Sequence, residues 1–355
     1  MSALVLMIVA MTAAFLVTLG LSLLLTRPAL QAALDHPNDR SLHESPTPRT
    51  GGLAIIAGLL AGGLFFAGMA TGDLRVPLVL AASAAAIVVI SLLDDLWRMP
   101  ALVRIVVHAS AAFGLLAGAS LAIRALELPW VSYPAPVWAA GLFSGLLIVW
   151  FTNLYNFMDG IDGLAAGMGV LGFATCGVIG LLAPAPVFAA FAFIIAGACL
   201  GFLGVNFPPA RIFMGDVGSS VLGFLAAGFV LWADRDQVFP LWVGILIFSP
   251  FVVDATVTLF RRLLNREAFW RAHRSHFYQR LVLLGWSHRR TTLSAYGLMA
   301  ACGLSALGAV NTSSATRIGI IMGWVLVYLV LMIGITRMEL STRDSGDTGE
   351  TGTYT

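Results

Sequence analysis

The stretch Asn153–Gly163 reads NLYNFMDGIDG and interrupts a chain that is otherwise strongly apolar. Two amides and two carboxylates recur in it at every third position, Asn153, Asn156, Asp159 and Asp162. On an ideal helix a step of three residues turns about 300°, so the first three groups share a face, and the fourth joins them only if glycines bend the backbone. The other interpretation is a plain polar loop between two spans, although such loops rarely need paired carboxylates and amides without any arginine.

Composition places the chain in a membrane. Of its 355 residues 59% are hydrophobic and 11% are charged, whereas a soluble domain carries about 25% charged residues. The net charge of +2 is too small to indicate a nucleic-acid partner. The three cysteines lie in apolar runs without metal-like spacing, so neither disulfides nor a zinc site is predicted. The first span lacks a basic flank and a cleavage pattern, so we expect it to be retained.

Apolar runs of about 20 residues predict an all-α polytopic membrane protein with eleven transmembrane helices, or ten as the alternative. We expect one membrane domain over 1–340 and a disordered polar tail over 341–355. The predicted helices lie near 3–26, 51–71, 76–93, 104–123, 136–152, 164–183, 186–205, 217–232, 240–260, 293–310 and 317–336.

The distribution of arginine predicts the orientation of the chain. All 20 basic residues are arginines; sixteen fall on one side, in alternate loops and the C-terminal tail, and four fall in the opposite loops. Because cytoplasmic loops carry the excess of positive charge, the first side is predicted to be cytoplasmic. Asn153–Gly163 and every other loop with candidate chemistry lie on that side, so we expect a site built from cytoplasmic loops.

Further carboxylates accompany the stretch on that side. Asp94 and Asp95 end the third helix, where the helix dipole is negative and adjacent carboxylates repel each other. This placement favours metal or proton-transfer work, although one of the two could pair with Arg98. Asp216 begins the eighth helix, where it is either a metal ligand or an N-cap. Asp254, inside the ninth helix, we interpret as structural, with a nearby arginine as its partner.

The basic residues of these loops fit anionic ligands. Arg49 lies between Pro48 and a glycine pair, and arginine suits bidentate phosphate contacts; the alternative is that such arginines hold lipid headgroups and set topology. The last loop, 261–292, is the most basic, and its apolar residues predict an amphipathic helix or hairpin at the membrane surface. Its His273 and His276 could contact a ligand phosphate or base.

Together these groups suit phosphoryl transfer. Carboxylate and amide oxygens form a hard-cation site, for which we expect Mg²⁺ and keep Mn²⁺ as the alternative. Arginines would neutralise the remaining phosphate charge, and positioning would do most of the work. A site at the membrane surface would join one lipid-borne and one water-soluble substrate.

Five ordered motifs resemble those of the polyprenyl-phosphate N-acetylhexosamine-1-phosphate transferases, known as glycosyltransferase family 4. That family starts peptidoglycan, teichoic acid, O-antigen and N-glycan lipid precursors. The resemblance covers roughly residues 35–290. The motifs are PTPRTGG at 46–52, LDD at 93–95, NLYNFMDGIDGLAAG at 153–167, NFPPARIFMGDVGSS at 206–220, and HRSHFYQRL at 273–281.

The resemblance implies transfer of a sugar 1-phosphate from a UDP-sugar to undecaprenyl phosphate, with release of UMP, in the bacterial cytoplasmic membrane. Its partners would be these two substrates and the bilayer, and homodimers occur in the family. Matched by motif, the metal ligands are Asn156, Asp159 and Asp216. The expected catalytic residues are Asp94, Asp95, Asp159, Asp162 and His276. The expected substrate-binding residues are Arg49, Arg98, Arg104, Asn153, Asn206, Arg211, His273, Arg274 and Arg280.

The last motif departs from part of the family. It lacks the tight histidine cluster of relatives that use phospho-MurNAc-pentapeptide or the enterobacterial N-acetylglucosamine donor, and it resembles more closely the O-antigen-initiating branch. We therefore expect an N-acetylhexosamine or a 6-deoxy-N-acetylhexosamine, with a UDP-N-acetylglucosamine or phospho-MurNAc-pentapeptide transferase as alternatives within the class. The rival class is a membrane transporter or lipid flippase, which would place charges at mid-membrane and show related halves.

Overall fold

The computed structural model describes residues 2–28, 34–35, 47–97, 99–123, 125–128, 131–268, 273–310 and 312–347. The architecture is the all-α polytopic one predicted from the sequence. The helices are α1 (Ala3–Leu25), α2 (Gly51–Met69), α3 (Arg75–Trp97), α4 (Ala101–Ala119), α5 (Val137–Phe157), α6 (Leu164–Leu182), α7 (Pro186–Asn206), α8 (Gly215–Arg235), α9 (Leu241–Ile247), α10 (Ser249–Leu264), α11 (Phe277–Leu283), α12 (His288–Ala309) and α13 (Ser314–Asp347). Two short antiparallel pairs join β1 (Leu34–Asp35) to β2 (Thr47–Pro48) and β3 (Ala125–Leu128) to β4 (Val131–Pro134).

Ten of the described helices, α1 to α8 with α12 and α13, are long and apolar enough to cross a membrane. The helix predicted over 240–260 is divided into two, because the chain bends by 85° between α9 and α10. Pro250 has no N–H to offer the carbonyl of Leu246 one turn earlier, and the Ser249 hydroxyl bonds that carbonyl instead, at 2.8 Å. Over the described residues this gives ten candidate spans, or eleven if the bent pair is one span.

Helix α8 is the centre of the bundle. Its span is 94% buried, against 33% for α5, and it packs against α2, α3, α5 and α9. Close approach to α5 requires a glycine, because a Cβ at Gly223 would meet the carbonyl oxygen of Phe151. The N-terminus of α8, which carries Asp216, is therefore held inside the protein and away from lipid.

Helix α13 lies at the other extreme. No residue of its span is buried, and it continues to Asp347, so residues 341–347 of the expected disordered tail are helical. Specific polar contacts tie it to the bundle. The Tyr328 hydroxyl lies 2.7 Å from Ser249 Oγ, and the Glu339 carboxylate forms an ion pair with the Arg280 guanidinium.

The last basic loop is less helical than predicted. Among its described residues before α12, only 261–264, which end α10, and the seven-residue α11 are helical. Phe277 and Tyr278 on α11 are buried in the protein, not laid on a membrane surface. Phe269 and Trp270, which shaped the amphipathic prediction, lie outside the described residues. The tertiary contacts of α11, described below, explain why its aromatic side chains turn inward.

Candidate active site

The first and fourth loop motifs dock on each other through their backbones. Phe213 N–H donates to the Pro48 carbonyl at 2.7 Å, and Gly52 N–H donates to the Met214 carbonyl at 2.7 Å. Gly215 has φ +69°, and a Cβ there would meet the Arg49 carbonyl oxygen. This close pairing brings Arg49 to the N-terminus of α8, where Asp216 stands.

Two arginines bridge three carboxylates at the meeting point of α3, α4 and α8. Arg49 Nη2 lies 3.6 Å from Asp216 Oδ1 and 3.9 Å from Asp95 Oδ1. Arg104 Nη1 lies 2.7 Å from Asp94 Oδ2 and 3.7 Å from Asp216 Oδ2. The carboxylate side chains are 12 to 20% exposed and the arginines 36 to 38%, so the arginines are the more accessible groups.

The partners of the paired carboxylates differ from the sequence expectation. Arg98, expected as a partner of one of them, lies outside the described residues. Asp94 is engaged by Arg104 and by the Met99 N–H, which donates to Asp94 Oδ1 at 2.6 Å. These contacts come from the start of α4, so Asp94 links two helices across the turn between them.

The end of α5 supplies the next groups. The Asn156 amide donates to Ser220 Oγ at 3.3 Å and also contacts the Asp216 carboxylate. Asp159, just beyond α5, is half-buried. Burial raises the pKa of the Asp159 carboxyl well above its usual range, and the nearby Asp216 carboxylate raises it further.

Asp162 contacts the fourth loop and helix α12. Its Oδ2 accepts the Ala210 N–H at 3.0 Å, and its Oδ1 lies 3.3 Å from His288 Nδ1. Its carbonyl accepts the Thr292 hydroxyl at 2.7 Å. Asp162 therefore joins the Asn153–Gly163 stretch to the fourth loop and to α12, which is a positioning role.

The fourth-loop residue Asn206 also positions the backbone. It is buried, its Oδ1 accepts the Gly163 N–H at 3.0 Å, and its amide donates to the Ile212 carbonyl at 2.9 Å. Both ends of the Asn206 amide therefore hold loop backbone, and its expected ligand contact stays a prediction. Asn153 likewise donates to Val149 of its own helix.

Asp254, on α10 just after the bend, holds the last loop by hydrogen bonds. It is buried, its Oδ1 lies 3.1 Å from His276 Nδ1, and it accepts the backbone N–H groups of Phe277 and Tyr278. The expected arginine partner is wrong, because the N-terminus of α11 and His276 take that place. The structural role of Asp254 is confirmed by these contacts.

A tyrosine that sequence reasoning did not single out ties this loop to the central stretch. The Tyr278 hydroxyl donates to the Phe157 carbonyl at 3.0 Å, and the His276 ring stacks on Phe157 at 6.2 Å between centroids. Nothing in the spacing of Tyr278 marks it, because its partner lies 121 residues away. His276 is thus buried and packs against Phe157 at the end of α5.

His273 lies beside His276, with ring centroids 4.9 Å apart. Burial lowers the pKa of His273 to about 4, and the neighbouring His276, Arg262 and Arg261 lower it in the same direction. His273 is therefore neutral across the physiological range and acts as a hydrogen-bonding group, not as a cation.

Three of the expected substrate-binding arginines fall outside the cluster of carboxylates. The Arg280 guanidinium is buried and forks onto both carboxylate oxygens of Glu339 at 2.6 Å. Arg211 and Arg274 are exposed. Arg49 and Arg104 are therefore the expected arginines that the structure brings to the carboxylates, and Arg280 pairs with Glu339 instead.

The donor set fits a hard divalent cation. Among the described residues no three histidine, cysteine, aspartate or glutamate side chains converge as a ready-made metal site. Asp159 and Asp216 are two carboxylates, with the Asn156 amide beside them, and a cation there would offset the repulsion that raises the Asp159 pKa. Mg²⁺ takes only one or two carboxylates and completes its shell with water and substrate phosphates.

Sequence comparisons agree with this arrangement. A family model described as glycosyl transferase family 4 matches residues 77–234. The chain is 32% identical over 302 residues to a probable undecaprenyl-phosphate N-acetylglucosaminyl 1-phosphate transferase of Bacillus subtilis, with 80% of each chain covered. It is 34% identical to a decaprenyl-phosphate N-acetylglucosaminephosphotransferase of Mycobacterium leprae, over 79% of this chain and 77% of that one.

A third relative matches over a shorter segment. A phospho-N-acetylmuramoyl-pentapeptide-transferase of Moorella thermoacetica is 37% identical over 171 residues, which is 48% of this chain and 52% of that protein. The two longer matches extend over most of both chains, beyond the residues of the family model. With that coverage, and with the motif residues assembled around Asp216, the chain belongs to glycosyl transferase family 4.

Proposed function

We propose that the protein transfers a sugar 1-phosphate from a UDP-sugar to a polyprenyl phosphate, which we take to be undecaprenyl phosphate, and releases UMP. The observation that carries this proposal is the bridging of Asp94, Asp95 and Asp216 by Arg49 and Arg104 at one end of the membrane helices. The names of the relatives, which act on undecaprenyl or decaprenyl phosphate, support the same acceptor class.

Each group has a role that its geometry suits. Asp216, Asp159 and Asn156 would hold Mg²⁺, which supplies charge neutralisation at the donor pyrophosphate. Arg49 and Arg104 are one-third exposed and can exchange their long contacts to Asp216 for phosphate oxygens. These arginines then stabilise charge that develops between the two substrates.

The reaction is a direct displacement. An oxygen of the acceptor phosphate attacks the β-phosphorus of the UDP-sugar, the bond from that phosphorus to the oxygen shared with UMP breaks, and UMP leaves with the electron pair. The acceptor is ionised near neutral pH, so no general base is required. Asp94 is held by Arg104 and by the Met99 N–H, which suits positioning more than proton removal.

The proposal extends to the donor sugar, the pathway and the side of the membrane. The relatives support N-acetylglucosamine as the sugar, and the two-histidine last loop supports testing its 6-deoxy analogues as well. The product would start a cell-surface polysaccharide such as an O-antigen. The excess of arginine on the site's side supports a cytoplasmic active site in a bacterial inner membrane.

The deciding experiment measures UMP release by protein in phosphatidylglycerol and phosphatidylcholine nanodiscs. The assay supplies undecaprenyl phosphate, a panel of UDP-N-acetylhexosamines, and Mg²⁺, Mn²⁺ or EDTA. We expect UMP and the sugar-pyrophosphoryl lipid in equal amounts with Mg²⁺, and none with EDTA. Folded protein that binds donor without releasing UMP with any sugar would refute the transferase. Movement of lipid across the bilayer without new bonds would favour the flippase instead.

A further inference from the structure

A cavity lies between helices outside the carboxylate cluster. It has a volume of about 660 Å³ and is enclosed mainly by α10, α11, α12 and α13. Apolar side chains make almost all of its wall, among them Phe251, Leu281, Leu298, Val327 and Leu331. Because the enclosing helices include membrane spans, the occupant that such a wall favours is a hydrocarbon chain.

A positive charge stands next to the Trp286 edge of the cavity, which we take as its mouth. Trp286 lines the cavity, and the guanidinium carbon of Arg290 lies 3.8 Å from the centroid of the Trp286 ring. Arg290 is exposed in the first turn of α12, on the side of the protein that holds the candidate active site. Trp and Arg at the end of a membrane helix are placed at headgroup level, where Arg meets phosphate.

We infer that the α10–α13 cavity binds one acyl chain of an anionic phospholipid of the surrounding bilayer, with the lipid phosphate against Arg290. The apolar wall accounts for the chain, and the stacked guanidinium at the mouth accounts for the negative headgroup. The phosphate-binding arginines of the proposed reaction, Arg49 and Arg104, sit on the β2–α2 connection and on α4, which contribute no residue to this cavity.

The site has a consequence for the last loop. Asp254 and Tyr278 form part of the cavity wall, and the same two residues hold α11 and the Asn153–Gly163 stretch together. No residue of the carboxylate cluster lines the cavity, so an acyl chain there would leave that cluster free for its substrates. The inference therefore holds for any sugar that the active site takes.

The chain offers matched variants for a test. Gly334 lines the cavity, and a Cβ built there meets nothing within 4 Å, so Gly334→Phe can place a ring in the space without a backbone clash. Gly323 on the same helix is equally open but does not line the cavity, which makes Gly323→Phe its control. Arg290→Ala removes the mouth charge, and Arg289→Ala removes an exposed neighbour that lacks the Trp286 stack.

The experiment uses phosphatidylglycerol with a diazirine at the end of one acyl chain, incorporated into phosphatidylcholine nanodiscs that hold the full-length protein. After illumination, labelled peptides are mapped by mass spectrometry. We expect labels on α10, α12 and α13, reduced at least about tenfold in Gly334→Phe because the ring takes the occupant's place. Arg290→Ala should weaken labelling about fivefold, the effect of one arginine near an anionic surface, and the two controls should label as the parent does.

Three results would overturn the inference. These are equal labelling of Gly334→Phe and the parent, competition by phosphatidylcholine as strong as by unlabelled phosphatidylglycerol, or selective displacement by undecaprenyl phosphate. The last result would mean that the cavity holds the acceptor's own chain. If Gly334→Phe does not fold, Arg290→Ala still tests the inference, because Arg290 is exposed and its loss does not disturb the core. UMP release measured in parallel separates loss of lipid from loss of the proposed reaction.

Discussion

Two clusters of arginine and carboxylate lie at the same end of this molecule and are built differently. At the junction of α3, α4 and α8, three of the four contacts made by Arg49 and Arg104 are 3.6 to 3.9 Å long, and both arginines are more than one-third exposed. Between α11 and α13, Arg280 is 3% exposed and forks onto Glu339 with two contacts of 2.6 Å.

We interpret the difference as that between the proposed ligand site and a structural ion pair. A long, shared contact between partly exposed groups is worth little in water, so a substrate phosphate or a cation can replace it at small cost. A short bidentate pair at a buried guanidinium is costly to break, because the charge left behind has no solvent. We call the first the open cluster, Arg49, Arg104, Asp94, Asp95 and Asp216, and the second the closed pair, Arg280 and Glu339.

The largest effect should come from Asp216 of the open cluster and from the nearby Asp159. We expect Asp216→Asn and Asp159→Asn each to lower kcat by on the order of 10³-fold, because each removes negative charge that would hold the cation. The measurement is UMP release at saturating substrates. Asp236→Asn, a carboxylate just past the other end of α8, is the control and should retain full turnover. Near-normal turnover in either site variant would remove that residue from the mechanism.

Next comes the arginine that joins two carboxylates. Arg104→Gln should lower kcat/KM by about 10²-fold, since it removes one preorganised positive contact to the reacting phosphates. Arg75→Gln, at an exposed position at the end of α3 opposite Asp94, should change kcat/KM less than twofold. If the two variants behave alike, the open cluster is not the phosphate site and the comparison above fails.

An intermediate effect is expected at Asp254, which belongs to neither cluster but holds α11. Asp254→Asn weakens the contact to His276 and places an amide N–H opposite the backbone donors of Phe277 and Tyr278, which should cost roughly 1–3 kcal/mol of unfolding free energy. Thermal unfolding in nanodiscs measures it. Thr258→Ala removes only a neighbouring hydroxyl contact and should cost less. A stable Asp254→Asn with full kcat would show that the contacts of Asp254 to α11 are not required for stability or turnover.

The closed pair should affect stability alone. Glu339→Gln should destabilise by about 1–2 kcal/mol, reduced because Glu339 is partly exposed, with kcat of the folded protein unchanged. The double variant Arg280→Met, Glu339→Leu should recover part of that loss, because no unpaired charge remains. A fall in kcat without a fall in stability would contradict the assignment of Arg280 as structural.

The smallest effect concerns pH. The unfolded chain protonates His273 near 6.5, whereas the folded protein holds its pKa at about 4. Protons are therefore bound preferentially by the unfolded state between those values, and His273 lowers stability as pH falls from 6.5 to 4. His273→Gln should show a slightly smaller drop in melting temperature between pH 7 and pH 5 than the parent. A larger drop would mean that His273 is protonated in the folded protein.

The span positions and the polar segments were predictable from local sequence. Runs of about 20 apolar residues locate spans because a helix must cover the hydrocarbon core. The bend at Ser249–Pro250 was missed because the surrounding residues remain apolar and hydropathy ignores a lost backbone donor. The sequence did not predict the burial of Phe277 and Tyr278, because their backbone N–H groups are held by Asp254, which lies more than 20 residues earlier.

Sequence by itself determined the membrane class, the identity of the acidic segments and the family motifs, because composition, periodicity and short spacings are local properties. Only the tertiary structure decided how those groups divide. Asp216 meets Arg49 and Arg104, Asp162 turns to the fourth loop and α12, and Arg280 pairs with a residue 59 positions later. Such partners are chosen by the path of the packed helices, and every aspartate and arginine in these loops carries the same local signal whether it holds a ligand or the fold.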